Sequence, residues 1–190
     1  MPPAVFLDRD GTMIHDVGYL GRLEDVTWFP WTIDAIRLLK RAGFLVCVVT
    51  NQGGIGLGLY GKADVDRIHA AMDADLAAAG VSVDGWYFCP HHPRAVIPEL
   101  RVDCDCRKPR PGLIHAAQRA HAIDLGASFV IGDKAIDMQL AAAVGVGGVL
   151  VRTGYGDGEV ARHQGALPGA AKVAADLIEA TSWVLSRRAG

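Results

Sequence analysis

Apolar residues in this chain fall in short runs rich in β-branched side chains, and the stretches between them carry apolar residues at helical spacing. Runs at 4–7, 44–49, 85–88, 129–131 and 148–151 predict strands. The stretches 32–41, 62–79, 112–122, 135–143 and 170–185 predict helices. In the first of these, Ile33, Ile36, Leu38 and Leu39 recur at helical intervals, and Gly43 follows as a C-cap. Short strands separated by single helices imply parallel pairing with crossover connections. The predicted fold is α/β: a doubly wound, mainly parallel sheet with helices on both faces, in one domain over residues 1–190. Such sheets bind ligands at the carboxyl ends of their strands. Residues 161–169 read as a surface loop and 187–190 as a frayed tail. The loop from Cys89 to Arg107 breaks the alternation, and a loop of that length in a compact domain implies a function or a staple.

Charge and composition narrow the partners. Nineteen Lys and Arg against 21 Asp and Glu give a formal charge of −2, without the basic excess that grips nucleic acid. Hydrophobic residues make up 51%, enough for one sizeable core. No apolar run reaches the length of a membrane span, and Met1-Pro2-Pro3 leads directly into a strand with no basic leader region. The expected partner is a small molecule, the expected compartment the cytoplasm and the expected state a monomer.

Polar residues cluster where the predicted strands end. Asp8 and Asp10 follow the first strand in Asp8-Arg9-Asp10-Gly11-Thr12. In extended backbone they share a side, and two carboxylates so close need a shared proton or a divalent cation, for which hard oxygen ligands favour Mg²⁺. A solvated Asp-Gly turn is the other reading. Thr50-Asn51-Gln52-Gly53-Gly54 follows the second strand, and its hydroxyl and backbone N–H groups suit a phosphoryl oxygen. The glycines from Gly53 to Gly58 do not fall in the register of a dinucleotide or P-loop motif. Arg107 and Lys108 precede a helix, where Arg107 suits bidentate binding of a phosphate. Asp133 and Asp137 follow the strand at 129–131, where Asp133 also suits a helix N-cap. Cys47 sits in an apolar run and reads as a small buried hydrophobe. Cys89, Cys104 and Cys106, with His91 or His92, match a closed tetrahedral zinc shell of three thiolates and one imidazole, which is a structural site.

In Leu7-Asp8-Arg9-Asp10-Gly11-Thr12 the chain resembles the first motif of the haloacid dehalogenase-like phosphatases. The resemblance implies that Asp8 attacks phosphorus and that Asp10 is the acid, then the base. It makes Thr50 and Lys108 the second and third motifs and Asp133 a metal ligand beside Asp8 and the Asp10 carbonyl. The pattern Cys89-x-His91…Cys104-x-Cys106-Arg107-Lys108-Pro109 resembles the branch of heptose-bisphosphate and histidinol-phosphate phosphatases, which selects His91 as the fourth zinc ligand. That branch implies a Mg²⁺-dependent phosphomonoesterase acting on the 7-phosphate of D-glycero-D-manno-heptose 1,7-bisphosphate, with histidinol phosphate as the alternative substrate. It also implies a part in making precursors of bacterial surface polysaccharide. Asp16, Tyr19, Asn51, Gln52, Gly53, Arg107 and Lys134 would contact substrate. One departure stands out: Gly54-Ile55-Gly56-Leu57-Gly58 carries Leu57 where relatives carry a basic residue. The segment from Gly11 to Trp31 leaves no room for a cap domain, so the expected site is capless.

Overall fold

The computed structural model describes residues 1–165 and 167–188. Strands β1 (Pro3–Leu7), β2 (Leu45–Asn51), β3 (Gly85–Cys89), β4 (Asp124–Gly132), β5 (Gly147–Val151) and β6 (Ala170–Ala174) form one parallel sheet in the order β3-β2-β1-β4-β5-β6. The helices are α1 (Thr32–Arg41), α2 (Lys62–Ala78), α3 (Gly112–Ala120), α4 (Ala135–Val144), α5 (Gly156–Arg162) and α6 (Leu177–Arg188). The chain builds outward from β1 to β3, then returns to the other side of β1 for β4, β5 and β6. This reversal opens a crevice at the carboxyl ends of β1 and β4.

The period of two in β1 divides the core. Val5 and Leu7 pack with Ile36 and Leu39 of α1, Met72 and Leu76 of α2 and Val184 of α6. Ala4 and Phe6 pack on the opposite face with Leu113 and Ile114 of α3, Leu140 of α4 and Cys47 of β2. Helices therefore cover both faces, and β1 is buried throughout. The register aligns Leu7 with Val48 of β2 and Ile131 of β4, so the residues just beyond these strands end at one level. Between β1 and α1 the described residues contain only one short 3₁₀ turn (Leu23–Asp25), in keeping with the absence of a cap. Between β3 and α3 they contain only another (Pro98–Leu100).

Several local expectations change. The stretch 170–185, predicted as one helix, is strand β6 followed by helix α6. Its alanines favour helix locally, but Leu150 and Val151 at the sheet edge take Val173 and Ala174 as parallel partners, and pairing overrides propensity. Helix α5 has no counterpart among the predicted elements because Gly156 and Gly158 lower its propensity. It absorbs Ala161 and Arg162 from the predicted loop, whose Leu167 is buried. Strand β4 starts at Asp124, well before the predicted 129, because Pro3 of β1 aligns with Asp124. In the predicted tail, α6 continues through Arg188, and Ala189 and Gly190 lie outside the described residues. In α1, Ile36 and Leu39 face the core, whereas Leu38 is exposed.

Removing core volume from α1 tests this packing. Ile36→Ala is expected to cost about 2–5 kcal/mol, seen as a lower urea midpoint at unchanged slope. A loss below about 1 kcal/mol would mean that α1 does not bury this face.

Candidate active site

Most of the site is built where strands stop. Asp8 follows β1, and its amide donates to Ile131 O of β4 at 2.9 Å. Thr50 and Asn51 end β2, and Asp133 follows β4 directly. Lys108 comes from the segment before α3 and is buried, 3% exposed. Its ammonium reaches Asp8 Oδ1 at 2.8 Å, Asp137 Oδ1 at 2.7 Å and Val49 O at 2.9 Å, which uses all three of its N–H donors. Asn51 clamps the same residue by its main chain: Lys108 N donates to Asn51 Oδ1 at 3.0 Å, and Asn51 Nδ2 donates to Lys108 O at 3.2 Å.

Asp133 is fully buried, with Tyr155 N donating to Oδ2 at 2.9 Å and Lys134 Nζ 3.5 Å from Oδ1. Glycines make this possible. Gly11 and Gly154 have φ of +84° and +57°, and a Cβ at either would overlap the Asp133 carboxylate. Asp133 is not the N-cap of α4; Lys134 holds that position. Asp137 supplies the cap bond from the first turn, accepting from Lys134 N at 3.1 Å while holding Lys108. Lys134 Nζ also pairs with Asp16 Oδ2 at 3.0 Å and lies 4.6 Å from the Tyr155 ring centre.

These charges separate the carboxylates. Burial alone would push Asp8 up, but Lys108 and Lys134 outweigh it and hold Asp8 below the usual carboxylate range. Burial pushes Asp133 up to about 8, with Asp8 adding to the rise and Lys134 only partly opposing it. Burial likewise raises Asp137 against the pull of Lys108. Both lysines rise despite their burial, Lys108 through Asp137 and Asp8, and Lys134 through Asp8 and Asp133. Asp8, Asp133 and Asp137 offer oxygens within 4.8 Å of one another. Asp137 is committed to Lys108 and the α4 cap, whereas Asp133 is under-compensated, as a carboxylate awaiting a hard dication would be.

Asp10 is held apart from that group. Its carboxylate takes Arg9 Nη2 at 3.0 Å on both oxygens and Gln52 Nε2 at 2.9 Å. Gln52 Nε2 also reaches Thr50 Oγ1 at 2.9 Å. Arg9 thus offsets a charge that the sequence reading assigned to a shared proton or cation. Nothing in the Asp-x-Asp spacing reveals that the intervening side chain turns inward.

An open cavity of about 270 Å³ lies above Asp8. Asp8, Asp10, Asp16, Tyr19, Thr50 and Asn51 line it together with Arg107, Lys108 and Lys134. Gly18, within the segment 16–19 expected at the substrate, also lines it, as do Ile136 and Tyr155, which carry no role in the sequence reading. Gln52 and Gly53 lie behind it: Gln52 faces Asp10, and Gly53 backs onto His92 and the Arg107 guanidinium.

The four zinc-ligand candidates come together beside this cavity. Cys89 and Cys106 Sγ are 3.1 Å apart, Cys104 and Cys106 3.4 Å, Cys89 and Cys104 3.6 Å, and His91 Nδ1 is 3.2 Å from Cys106. All three thiols are free. A tetrahedron with Zn–S near 2.3 Å has edges of about 3.8 Å, so the donor set fits zinc with a small expansion. His92 turns away, and its Nδ1 accepts from Arg94 N at 3.1 Å. The knuckle is tied to the site, because Arg107 Nη1 donates to His91 O at 2.8 Å and Gly112 N to Asp105 O at 2.8 Å.

With this geometry in view, the relatives are informative. A family model described as HAD-hydrolase-like matches residues 105–180. The chain is 48% identical over 153 residues to a D-glycero-β-D-manno-heptose-1,7-bisphosphate 7-phosphatase of Escherichia coli, covering 80% of each chain. It is 43% identical to the enzyme of that name from Vibrio cholerae, covering 80% of this chain and 82% of that one. The crystal structure of the D,D-heptose 1,7-bisphosphate phosphatase from B. bronchiseptica, complexed with magnesium and phosphate, superposes with a TM-score of 0.86 at 33% identity. That match covers 97% of this chain and 99% of the other. The chain belongs to the haloacid dehalogenase-like hydrolases, in the branch that contains the heptose-bisphosphate phosphatases.

Proposed function

We propose that this phosphoric monoester hydrolase removes the 7-phosphate of D-glycero-D-manno-heptose 1,7-bisphosphate through an aspartyl-phosphate on Asp8. The observation that carries the reading is a buried carboxylate held ionised at the floor of an open polar cavity, with both its hydrogen bonds on one oxygen. Lys108 Nζ and Arg9 N each reach Asp8 Oδ1 at 2.8 Å, so Oδ2 keeps its lone pairs for phosphorus. The substrate follows from the names and identities of the relatives.

In the first half-reaction Asp8 Oδ2 attacks phosphorus and the ester P–O bond breaks. The electron pair leaves on the sugar oxygen, which takes a proton from Asp10. In the second, water attacks the same phosphorus while Asp10, now a carboxylate, accepts its proton. The bond to Asp8 breaks, and orthophosphate leaves. Thr50 and Lys108 bind phosphoryl oxygens, and Arg107 and Lys134 supply further positive charge at the cavity wall. Asp16, Tyr19, Asn51, Gln52 and Gly53 shape the sugar side. Asp8, Asp133 and the Asp10 carbonyl would hold Mg²⁺, which would neutralise phosphate charge that otherwise repels a carboxylate nucleophile. Cys89, His91, Cys104 and Cys106 would hold a structural Zn²⁺ that fixes where Arg107 and Lys108 point.

The direct test is phosphate release from the heptose bisphosphate and from histidinol phosphate, compared by kcat/KM. The bisphosphate is expected to win by at least about tenfold; a preference for histidinol phosphate, or no Mg²⁺-dependent release from either, would overturn the assignment. Asp8→Asn is expected to abolish turnover at unchanged circular dichroism, and retained turnover would rule out the covalent route.

Magnesium and protons compete for Asp133. Its folded pKa lies above its unfolded value, so the stability linked to its proton is present below about pH 4 and is lost as pH rises through about 8. The rise in melting temperature on adding Mg²⁺ is therefore expected to be larger at about pH 8 than at about pH 5. A shift that is equal at both would show that Asp133 does not ionise on binding the metal.

Metal analysis is expected to give about one zinc per chain, and stripping it with a chelator to lower Tm by more than about 10 °C. Stripped protein with unchanged Tm and activity would exclude a structural zinc.

A further inference from the structure

The proposed mechanism uses Asp10 first as acid and then as base, and in the second role its carboxylate has to be aimed at the attacking water. Arg9 is fully buried and, among the described residues, pairs with no other acid. Its Nη2 reaches both Asp10 oxygens at 3.0 Å, and its Nε reaches Oδ1 at 3.3 Å. Gln52 Nε2 donates to Oδ2, and Tyr60 fixes that orientation because its hydroxyl donates to Gln52 Oε1 at 2.9 Å. These N–H groups all point at a carboxylate.

The guanidinium is itself held from behind. Its Nη1 lies 3.1 Å from Nε2 of His69, a buried residue of α2. The His69 ring stacks on Trp86 of β3, with centroids 4.4 Å apart and planes 18° apart, and meets the Phe88 edge at 5.8 Å. Trp86 Nε1 in turn donates to Asp73 Oδ1, one turn further along α2, at 2.8 Å. Burial and the charge of Arg9 push His69 down to about 3, so the imidazole is neutral and Nε2 accepts a hydrogen bond from Arg9 Nη1. A chain of contacts thus runs from the α2–β3 interface through His69 and Arg9 to Asp10.

We propose that His69 and Arg9 are positioning residues for the second half-reaction, fixing where the Asp10 carboxylate points as it takes the proton of the attacking water. The proposal rests on the assignment of Asp8 as nucleophile and Asp10 as acid and base. Water oxygen forms the new P–O bond, the Asp8–phosphorus bond breaks with its electron pair returning to Asp8, and the water proton goes to Asp10. Loss of the positioning slows this step and leaves phosphoryl transfer to Asp8 largely intact.

The kinetics separate the two steps, because kcat/KM contains only events up to formation of the phosphoenzyme, whereas kcat also contains its hydrolysis. His69→Phe keeps the ring stack and removes the acceptor. With the heptose bisphosphate, kcat and KM are expected to fall together by roughly tenfold or more, with kcat/KM within about threefold of the parent. Acid-quenched, hydroxylamine-labile phosphoenzyme is expected to accumulate at saturation. His69→Gln restores an acceptor near Nη1 and is expected to recover most of kcat. If His69→Phe does not fold, His69→Asn, whose amide stops short of Nη1, carries the same expectation. A fall in kcat/KM as large as that in kcat, or no rise in phosphoenzyme, would overturn the proposal. A parent enzyme that releases phosphate but forms no phosphoenzyme would instead overturn the Asp8 assignment on which it rests.

Discussion

One buried ammonium organises the site. The Lys108 ammonium pairs with Asp8 at the end of β1 and Asp137 on α4 and donates to Val49 O of β2, and so ties together three elements that meet nowhere in sequence. A buried ion pair adds little net stability, but breaking one costs about 3–5 kcal/mol because a charge is left stranded. The positions of Asp8, Asp137 and the loop before α3 are therefore mutually dependent. The same contact holds Asp8 ionised against its burial, the state a nucleophile needs.

The rest of the architecture places that ammonium. Asn51 grips the Lys108 backbone from β2, and Arg107 bonds to His91 within the Cys/His knuckle. A long loop loses much entropy on ordering, and four converging Cys and His donors that could hold a metal would offset it economically. On the other side, Gly11 and Gly154 let two backbone segments close over Asp133 so tightly that no side chain fits. Asp133 consequently sits in a low-dielectric niche, while Asp8, buried at the floor of the cavity, is kept charged by lysines. Two carboxylates of one site are thus driven in opposite directions by their neighbours.

Much of this was legible in the residue order. The alternation of short apolar runs with helical stretches established the parallel α/β sheet, and the clusters Asp8-Arg9-Asp10, Thr50-Asn51 and Asp133 stood just beyond predicted strands, with Arg107-Lys108 just ahead of a predicted helix. The Cys89, His91, Cys104 and Cys106 spacing identified one set of metal-ligand donors, which the fold brings within a single shell. Less visible were β6 and α5. The first is an alanine-rich stretch that becomes a strand only because the edge of β5 needs a partner, and the second is a helix carrying two glycines that tertiary packing tolerates.

Local chemistry determined which residues are able to do the work, since residue type and position after a strand are properties of the chain itself. Tertiary structure alone decided how they are divided: that Arg9 turns inward to Asp10, that His69, sixty positions away, stands behind it, and that Asp137 serves Lys108 while Asp133 remains under-compensated. Burial and the approach of distant charges set these differences, and neither quantity exists until the chain has folded.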